Sequence, residues 1–323
     1  MPSGNCELSI VIPVYCEQES LPELYRRVTA VLNGPATISN YEVIFINDGS
    51  TDRTPELLRE IAKTDSHVKV LFLSRNFGHQ KAITAGLDYC MGRAAIVLDA
   101  DLQDPPEIIP EMLACWRQGN QVVYATRRRR EGEFFLRTFC IRLFYQISQL
   151  LTDTYIPPNA GDFRLLDAQV ISALKELREE NRYLRGLIAW VGFRQSSIEY
   201  DRPGRFAGRS KYSIRRLIRL ALDGITGFSN RPLRVASILG IMTTFVALGL
   251  MLWVIAAHVF SPQTAAPWGW TSLMVAILFI GGIQLLCVGM LGEYIGRIFN
   301  QTKGRPLYVL SEKLGFAPEP YDP

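Results

Sequence analysis

Two long stretches without charged side chains, near the carboxyl end, constrain this chain more than any other feature. Residues 235–257 contain no Asp, Glu, Lys, Arg or His, and residues 259–292 also contain none. A helix over the first stretch would rise about 35 Å, which is enough to cross a bilayer. Pro262 and Pro267 interrupt the start of the second stretch, so its helix is expected over 270–291. The pattern predicts a hairpin of two transmembrane helices.

The distribution of basic residues around this hairpin predicts its orientation. The connection over 258–269 has no Lys or Arg. Cationic residues favour the cytoplasmic side, so both ends of the hairpin are expected there. The competing interpretation is an apolar hairpin inside a soluble domain, but two charge-free runs of spanning length are rare in globular cores. The flanking basic residues are Arg231, Arg234, Arg297, Lys303 and Arg305.

Composition narrows the remaining possibilities. The net charge of +4 is too small to indicate a general polyanion binder, so nucleic acid is not an expected partner. The six cysteines and three histidines are dispersed, which gives no support to a zinc site. The amino terminus lacks the pattern of a secretory signal and soon enters a strand-like run, so the first domain is expected in the cytoplasm.

A basic segment precedes the hairpin. Residues 202–234 contain nine basic side chains and one acidic side chain. Within them, apolar residues recur at helical spacing over 214–225, which predicts an amphipathic helix in the membrane interface. A weaker stripe over 143–151 suits either an interfacial helix or a helix packed on the domain.

The first part of the chain alternates between short apolar runs and helical patterns. Repeated β-α-β units predict a mostly parallel α/β sheet with helices on both faces, and such sheets bind ligands beyond the carboxyl ends of their strands. The apolar tail segment 305–310 is a further candidate strand. Strands are predicted over 9–15, 41–48, 68–74, 94–101 and 121–127, and helices near 18–33, 54–64, 79–91 and 106–117.

Polar residues follow the predicted strand ends and indicate a site there. Asp99 and Asp101 are two residues apart, so on an extended segment they face one side and can bind one Mg²⁺ or Mn²⁺. Gln103 could supply another oxygen ligand to this cation. The alternative interpretation of the acidic pair is that it lies in a solvated turn and binds no metal. The chain has neither a phosphate-binding P-loop motif nor a dinucleotide-binding glycine motif. The other strand-end residues are Tyr15, Glu17, Asp48, Asn76 and Arg127.

Several motifs resemble, in this order, the family-2 glycosyltransferases of the GT-A fold. They are IPVYCEQES, INDGSTDRT, LSRNFGHQKAITAGLD, LDADLQDPPE and GDFRLLD. The later GRFAGRSKYS, followed by two apolar stretches, resembles polyprenyl-phosphate glycosyltransferases, which include dolichyl-phosphate mannose synthase and ArnC-type transferases. The GtrB-type glucosyltransferases are the most similar of this group.

The resemblance implies a domain order and a set of site residues. It implies a Rossmann-like GT-A domain with interfacial helices over 1–230, a two-helix transmembrane hairpin over 231–299 and a cytoplasmic tail over 300–323. Asp162 is expected to face the sugar as a catalytic residue with Asp101. The family suggests that Asp162 is a base, whereas the chemistry favours a carboxylate that positions the sugar. The residues implied for the nucleotide sugar are Pro13, Tyr15, Glu17, Asp48, Asp99 and Ala100, and those for the metal are Asp99, Asp101 and Gln103.

The implied reaction is the metal-dependent, inverting transfer of a hexose to a polyprenyl phosphate at the plasma membrane. UDP-glucose is the expected donor, and an undecaprenyl-type lipid is the expected acceptor. The chain is also expected to form a tetramer through the hairpin. The alternatives are a processive polysaccharide synthase and a non-catalytic scaffold that binds nucleotide sugars. His79 and Lys81 are interpreted as an exposed first helical turn. Because guanidinium and ammonium groups bind phosphate, the candidates for the acceptor are Arg127, Arg137, Arg205 and Lys211.

Overall fold

The structure is a computed structural model that describes seven parts of the chain. The described residues form two compact units, of which the first holds the sheet and the second holds two long helices. The expected interfacial helices over 143–151 and 214–225 lie outside the described residues. The structure describes residues 6–34, 38, 40–127, 160–180, 182–200, 231–260 and 269–317.

An eight-stranded, mostly parallel sheet forms the first unit, in the order β7-β5-β6-β4-β1-β2-β3-β8. The strands β6 and β8 run antiparallel to their neighbours, and the other pairs are parallel. This confirms the predicted mostly parallel α/β sheet and the five predicted strands. The bounds are β1 Leu8–Val14, β2 Tyr41–Asn47, β3 Val68–Leu73, β4 Ala94–Val97, β5 Val122–Arg127, β6 Ala160–Asp167, β7 Gln195–Tyr200 and β8 Leu310–Leu314.

Helices cover this sheet and account for its long apolar runs. Every residue of β1 and β2 is buried, as expected for central parallel strands that are covered on both faces. Ile10, Ile12 and Phe45 pack in one core with Leu24 and Met112 from two helices. The helices are α1 Leu21–Leu32, α2 Thr54–Thr64, α3 His79–Tyr89, α4 Ile109–Arg117 after a 3-10 turn Pro106–Ile108, α5 Ala168–Glu176 and α6 Leu184–Trp190.

The carboxyl-terminal part of the chain returns to the sheet as β8. This strand pairs antiparallel with β3, so it covers an edge that would otherwise present unpaired backbone groups. Side chains fasten it, since the Tyr308 hydroxyl donates to Asp88 at 2.8 Å and Arg59 pairs with Glu312 at 2.7 Å. The strand begins at Leu310 and therefore follows the 305–310 segment rather than coinciding with it.

Two long helices form the second unit, α7 Arg231–Phe260 and α8 Gly269–Thr302. They contact each other where the Cys287 thiol lies 3.7 Å from the Ala236 carbonyl oxygen. Within the described residues, one helical stretch, Phe279–Thr302, is long and apolar enough to cross a membrane, with a mean hydropathy of 1.4. The apolar stretch in α7, Ala236–Gly249, is shorter. The structure thus supports one of the two predicted spans.

Candidate functional site

The strands β4 and β6 bring two carboxylates to one edge of the sheet. Val97, the last residue of β4, pairs with Arg164 in their antiparallel register. Asp99 follows Val97 by two residues, and Asp162 precedes Arg164 by two residues in β6. His79, the first residue of α3, lies between them. Its Nε2 atom is 3.4 Å from Asp99 Oδ1 and 3.5 Å from Asp162 Oδ2. We call Asp99, His79 and Asp162 the strand-end cluster.

Asp162 is held by two cationic side chains. Arg185, in the first turn of α6, donates from Nε to Oδ1 at 2.7 Å and from Nη2 to Oδ2 at 3.0 Å. Burial alone would raise the pKa of Asp162, but the His79 contact and the Arg185 ion pair hold it well below its usual range. Asp162 is therefore a firmly ionised carboxylate.

Asp99 has the opposite electrostatic character. Burial, together with the carboxylates of Asp162, Asp104 and Asp101, raises the pKa of Asp99 to about 6 against the opposing effect of His79. Its Oδ1 atom is buried and makes no hydrogen bond with any described residue, although His79 lies within ion-pairing distance. The part of the cluster nearest β4 therefore carries negative charge that is incompletely balanced.

His79 carries the balancing charge. Burial alone would lower its pKa, but the hydrogen bond with Asp162 and the charge of Asp99 raise it to about 9. The imidazole is consequently cationic at neutral pH, although 43% of its side chain is exposed. His79 does begin α3 and is exposed, as predicted, but it also contacts the two carboxylates of the cluster. Lys81 in the same turn forms an ion pair with Glu180 at 2.6 Å.

The loop after β4 contains the predicted metal-binding pair. Asp101 Oδ1 accepts a hydrogen bond from the backbone N–H of Gln103 at 3.1 Å, and Leu102 between them has a φ of 58°. Gln103 and Asp104 are buried, and the Tyr200 hydroxyl donates to Asp104. Across the described residues, no three His, Cys, Asp or Glu side chains form a ready-made metal site. The buried, unbonded Asp99 oxygen beside this loop nevertheless suits a hard cation.

The loops after β1 and β2 are joined to each other. The N–H of Cys16 donates to Ser50 Oγ at 3.0 Å, and the N–H of Glu17 donates to Thr54 Oγ1 at 3.0 Å. Tyr15 is 42% exposed beside them, which leaves its ring accessible. Pro13 lies inside β1, opposite Ile46 of β2. The nucleotide contacts expected of Pro13, Tyr15 and Glu17 stay predictions.

Asp48 fastens the loop that leads into α3. Its two carboxylate oxygens accept the backbone N–H groups of Phe77 at 2.7 Å and Gly78 at 3.0 Å. Burial raises the pKa of Asp48, and these two hydrogen bonds oppose the increase. Because His79 follows directly, Asp48 fixes the start of the helix that contributes to the cluster. This role is distinct from the nucleotide contact predicted for it, which stays a prediction.

The structure describes only some of the remaining predicted site residues. Ala100 is buried directly after Asp99. Arg127 ends β5 at the same edge of the sheet, and only its backbone is described. The other phosphate candidates, Arg137, Arg205 and Lys211, lie outside the described residues.

The fold and the site together define an α/β enzyme with charged groups at the carboxyl ends of its strands. The family described as glycosyl transferase family 2 matches residues 9–174, and the one described as GtrB C-terminal hairpin matches residues 231–298. The chain therefore belongs to glycosyl transferase family 2, and it is a glycosyltransferase that carries a GtrB-type hairpin.

Relatives match almost the whole chain. The uncharacterized glycosyltransferase YkcC of Bacillus subtilis (strain 168) is 46% identical over 313 residues, covering 97% of this chain and 96% of the relative. The bactoprenol glucosyl transferase of Shigella phage SfX is 38% identical over 309 residues, covering 95% and 99%. The prophage bactoprenol glucosyl transferase homolog of Escherichia coli (strain K12) is 38% identical over 306 residues, covering 94% and 98%.

Proposed function

We propose that this glycosyltransferase moves glucose from UDP-glucose to an undecaprenyl-type polyprenyl phosphate at the cytoplasmic face of the plasma membrane. The observation that carries the proposal is the strand-end cluster, because it places charged groups where this fold binds ligands. The names of two relatives, bactoprenol glucosyl transferases similar over nearly their whole length, support the same donor sugar and lipid acceptor.

A divalent cation, Mg²⁺ or Mn²⁺, fits the part of the cluster nearest β4. The buried Asp99 oxygen without a hydrogen bond, and the carboxylates around it, favour a hard cation with oxygen ligands. Asp99, Asp101 and Gln103 would hold it. Such a cation supplies charge balance for the leaving diphosphate.

The acceptor chemistry favours a single displacement. A phosphate monoester has a second pKa of about 6, so at pH 7 it is largely a dianion and is already nucleophilic. A phosphate oxygen forms the new bond to the anomeric carbon as the bond from that carbon to the diphosphate breaks. The bonding electron pair leaves with UDP, no proton has to move, and the anomeric configuration inverts.

The rest of the proposal concerns binding and location. Pro13, Tyr15, Glu17 and Asp48 would line the nucleotide pocket, while the acceptor phosphate would contact Arg127, Arg137, Arg205 and Lys211. The hairpin over 231–299 would cross the membrane twice and leave both termini in the cytoplasm. The candidate span Phe279–Thr302 and the matched hairpin family support this arrangement. Assembly into a tetramer through the hairpin completes the proposal.

Two other functions compete with this one. A processive polysaccharide synthase would extend a polymer, but that class usually carries a Q-x-x-R-W motif, which this sequence lacks. A non-catalytic scaffold would bind nucleotide sugar without releasing UDP. The charged cluster favours catalysis because a scaffold has no need for a buried group of opposed charges at the reacting end of the sheet.

The function is tested by measuring UDP release from UDP-glucose with and without undecaprenyl phosphate, using the full chain in detergent with Mn²⁺. We expect release only with the lipid, and we expect Asp101→Ala or EDTA to abolish it without altering membrane insertion. Glu60→Ala removes an exposed acid on α2 and serves as the matched control, with wild-type turnover. Near-normal turnover in Asp101→Ala would remove the metal assignment, polymer formation would favour the synthase, and no release with any donor would favour the scaffold.

A further inference from the structure

Side chains from two separate helices contact Asp162. Arg185 at the start of α6 binds both carboxylate oxygens, and His79 at the start of α3 approaches Oδ2 at 3.5 Å. A two-bond contact between guanidinium and carboxylate fixes both distance and orientation, which a single point charge does not. The side chain of Asp162 is 12% exposed, so water has little access to loosen this arrangement.

The two helices that supply these groups are fastened to each other. Gln80, next to His79, accepts the backbone N–H of Leu184 through Oε1 at 3.0 Å, and Leu184 precedes Arg185. Lys81, the following residue, pairs with Glu180 at 2.6 Å. Three consecutive residues of α3 therefore bind the cluster or the segment leading into α6. This arrangement positions His79 and Arg185 together on either side of Asp162.

The same contacts determine what Asp162 can do. Its oxygens already accept hydrogen bonds from a guanidinium group, and Oδ2 also faces an imidazole, so they are poor proton acceptors. The pKa of Asp162, well below its usual range, agrees with this geometry. A fixed negative charge can instead orient the sugar and stabilise positive charge that develops near the anomeric carbon.

We propose that Arg185 and His79 are positioning residues that hold Asp162 as a fixed carboxylate, which acts on the sugar by charge and orientation rather than as a proton acceptor. The proposal rests on the proposed function and assigns roles within that same site. It predicts that loss of the two hydrogen bonds from the Arg185 guanidinium group, the guanidinium fork, slows the chemical step while donor binding persists.

The main experiment compares two arginine variants in the transfer assay. We expect Arg185→Gln to lower kcat about 100-fold, with KM for UDP-glucose changed less than about threefold. Arg185→Lys should remain impaired by at least about tenfold, because an ammonium group cannot form the two-bond contact. Arg178→Gln is the matched control, since Arg178 binds Asp88 through two bonds of 2.7 and 3.0 Å on the same domain. It should retain kcat within about threefold.

Variants of His79 test the second contact. His79→Ala should lower kcat about 100-fold, whereas His79→Gln, whose amide can still donate to Asp162, should stay within about tenfold of the wild type. A purely structural histidine would show no such rescue. The proposal is overturned if Arg185→Gln loses no more kcat than Arg178→Gln, or if KM rises while kcat persists.

A second measurement is independent of the substrate assignment. We expect the apparent Tm of the double variant Asp162→Asn, Arg185→Gln to fall by less than the sum of the two single shifts, because either change breaks the same contact. Additive shifts would overturn the proposed pairing. If the wild-type chain transfers nothing from UDP-glucose to undecaprenyl phosphate, the proposed function fails, and these Tm shifts still decide whether Arg185 holds Asp162.

Discussion

Gly49, in the turn after β2, provides the sharpest test of how the loops support the site. Its φ is +68°, and an added Cβ would lie 2.6 Å from the backbone carbon of Arg75 and 2.6 Å from the backbone nitrogen of Asn76. That backbone leads into Phe77 and Gly78, whose N–H groups bind Asp48. Gly49→Ala should therefore displace the start of α3 as well as strain the turn.

The magnitude follows from two contributions. A side chain at left-handed φ costs about 1–2 kcal/mol, and forcing backbone atoms apart costs about 1–3 kcal/mol more. The free energy of unfolding should fall by about 2–5 kcal/mol, which for a domain of about 150–250 residues lowers Tm by about 4–20 °C. Because His79 moves with the displaced loop, kcat for transfer should also fall by about tenfold or more.

Gly119→Ala separates the cost of backbone strain at positive φ from the cost of steric overlap with neighbouring atoms. Gly119 has a φ of +90°, but no described atom lies within 4 Å of the position that a Cβ would occupy. Only the strain of about 1–2 kcal/mol remains, so Tm should fall by about 2–8 °C while transfer persists. Tryptophan fluorescence during heating in detergent, together with the UDP-release assay, measures both effects. Equal Tm shifts in the two variants, or undiminished transfer by Gly49→Ala, would refute the reasoning.

Two further predictions concern stability. Burial opposes the ionisation of Asp65, but hydrogen bonds from His67 and Tyr25 lower its pKa below the usual value. Ionised Asp65 therefore stabilises the folded state above the usual carboxylate pKa, and this stabilisation is lost as the pH falls through the lowered pKa. Asp65→Asn should thus lower Tm at pH 7, and the difference should shrink below about pH 4, whereas a pH-independent difference would contradict this account. Deletion of 305–323 should lower Tm and increase aggregation because β3 becomes an open edge, and unchanged heating and light-scattering curves would contradict it.

Most of the sheet could be predicted because its central strands are continuous apolar runs. The predicted bounds of α2 agree with Thr54–Thr64, where Pro55 marks the first turn. In contrast, β6 and β7 were not among the predicted strands. The strand β6 contains a glycine and three charged residues, and β7 is largely polar, so neither shows a long apolar run. Their strand structure depends on pairing with β4 and β5.

The candidate site was predictable only where residues follow parallel strands. Asp99 and Asp48 could be placed at one edge because each lies just beyond the carboxyl end of a parallel strand of the same sheet. His79 offered a similar signal, since it starts the helix after β3, but its contact with Asp162 depends on the register of the antiparallel β6. Arg185 lies 23 residues beyond Asp162, and no local pattern indicates that pairing.

The opposed environments of Asp99 and Asp162 explain how one small cluster can serve two tasks. Both carboxylates lie near His79. Arg185 binds Asp162 through two hydrogen bonds, whereas Asp99 keeps a buried oxygen without a hydrogen bond among the described residues. An added cation would gain most beside Asp99, because the charge at Asp162 is already balanced. The imidazole separates the two regions and limits repulsion between them. This difference supports the proposal that Asp162 acts on the sugar while the diphosphate and its cation bind at the loop after β4.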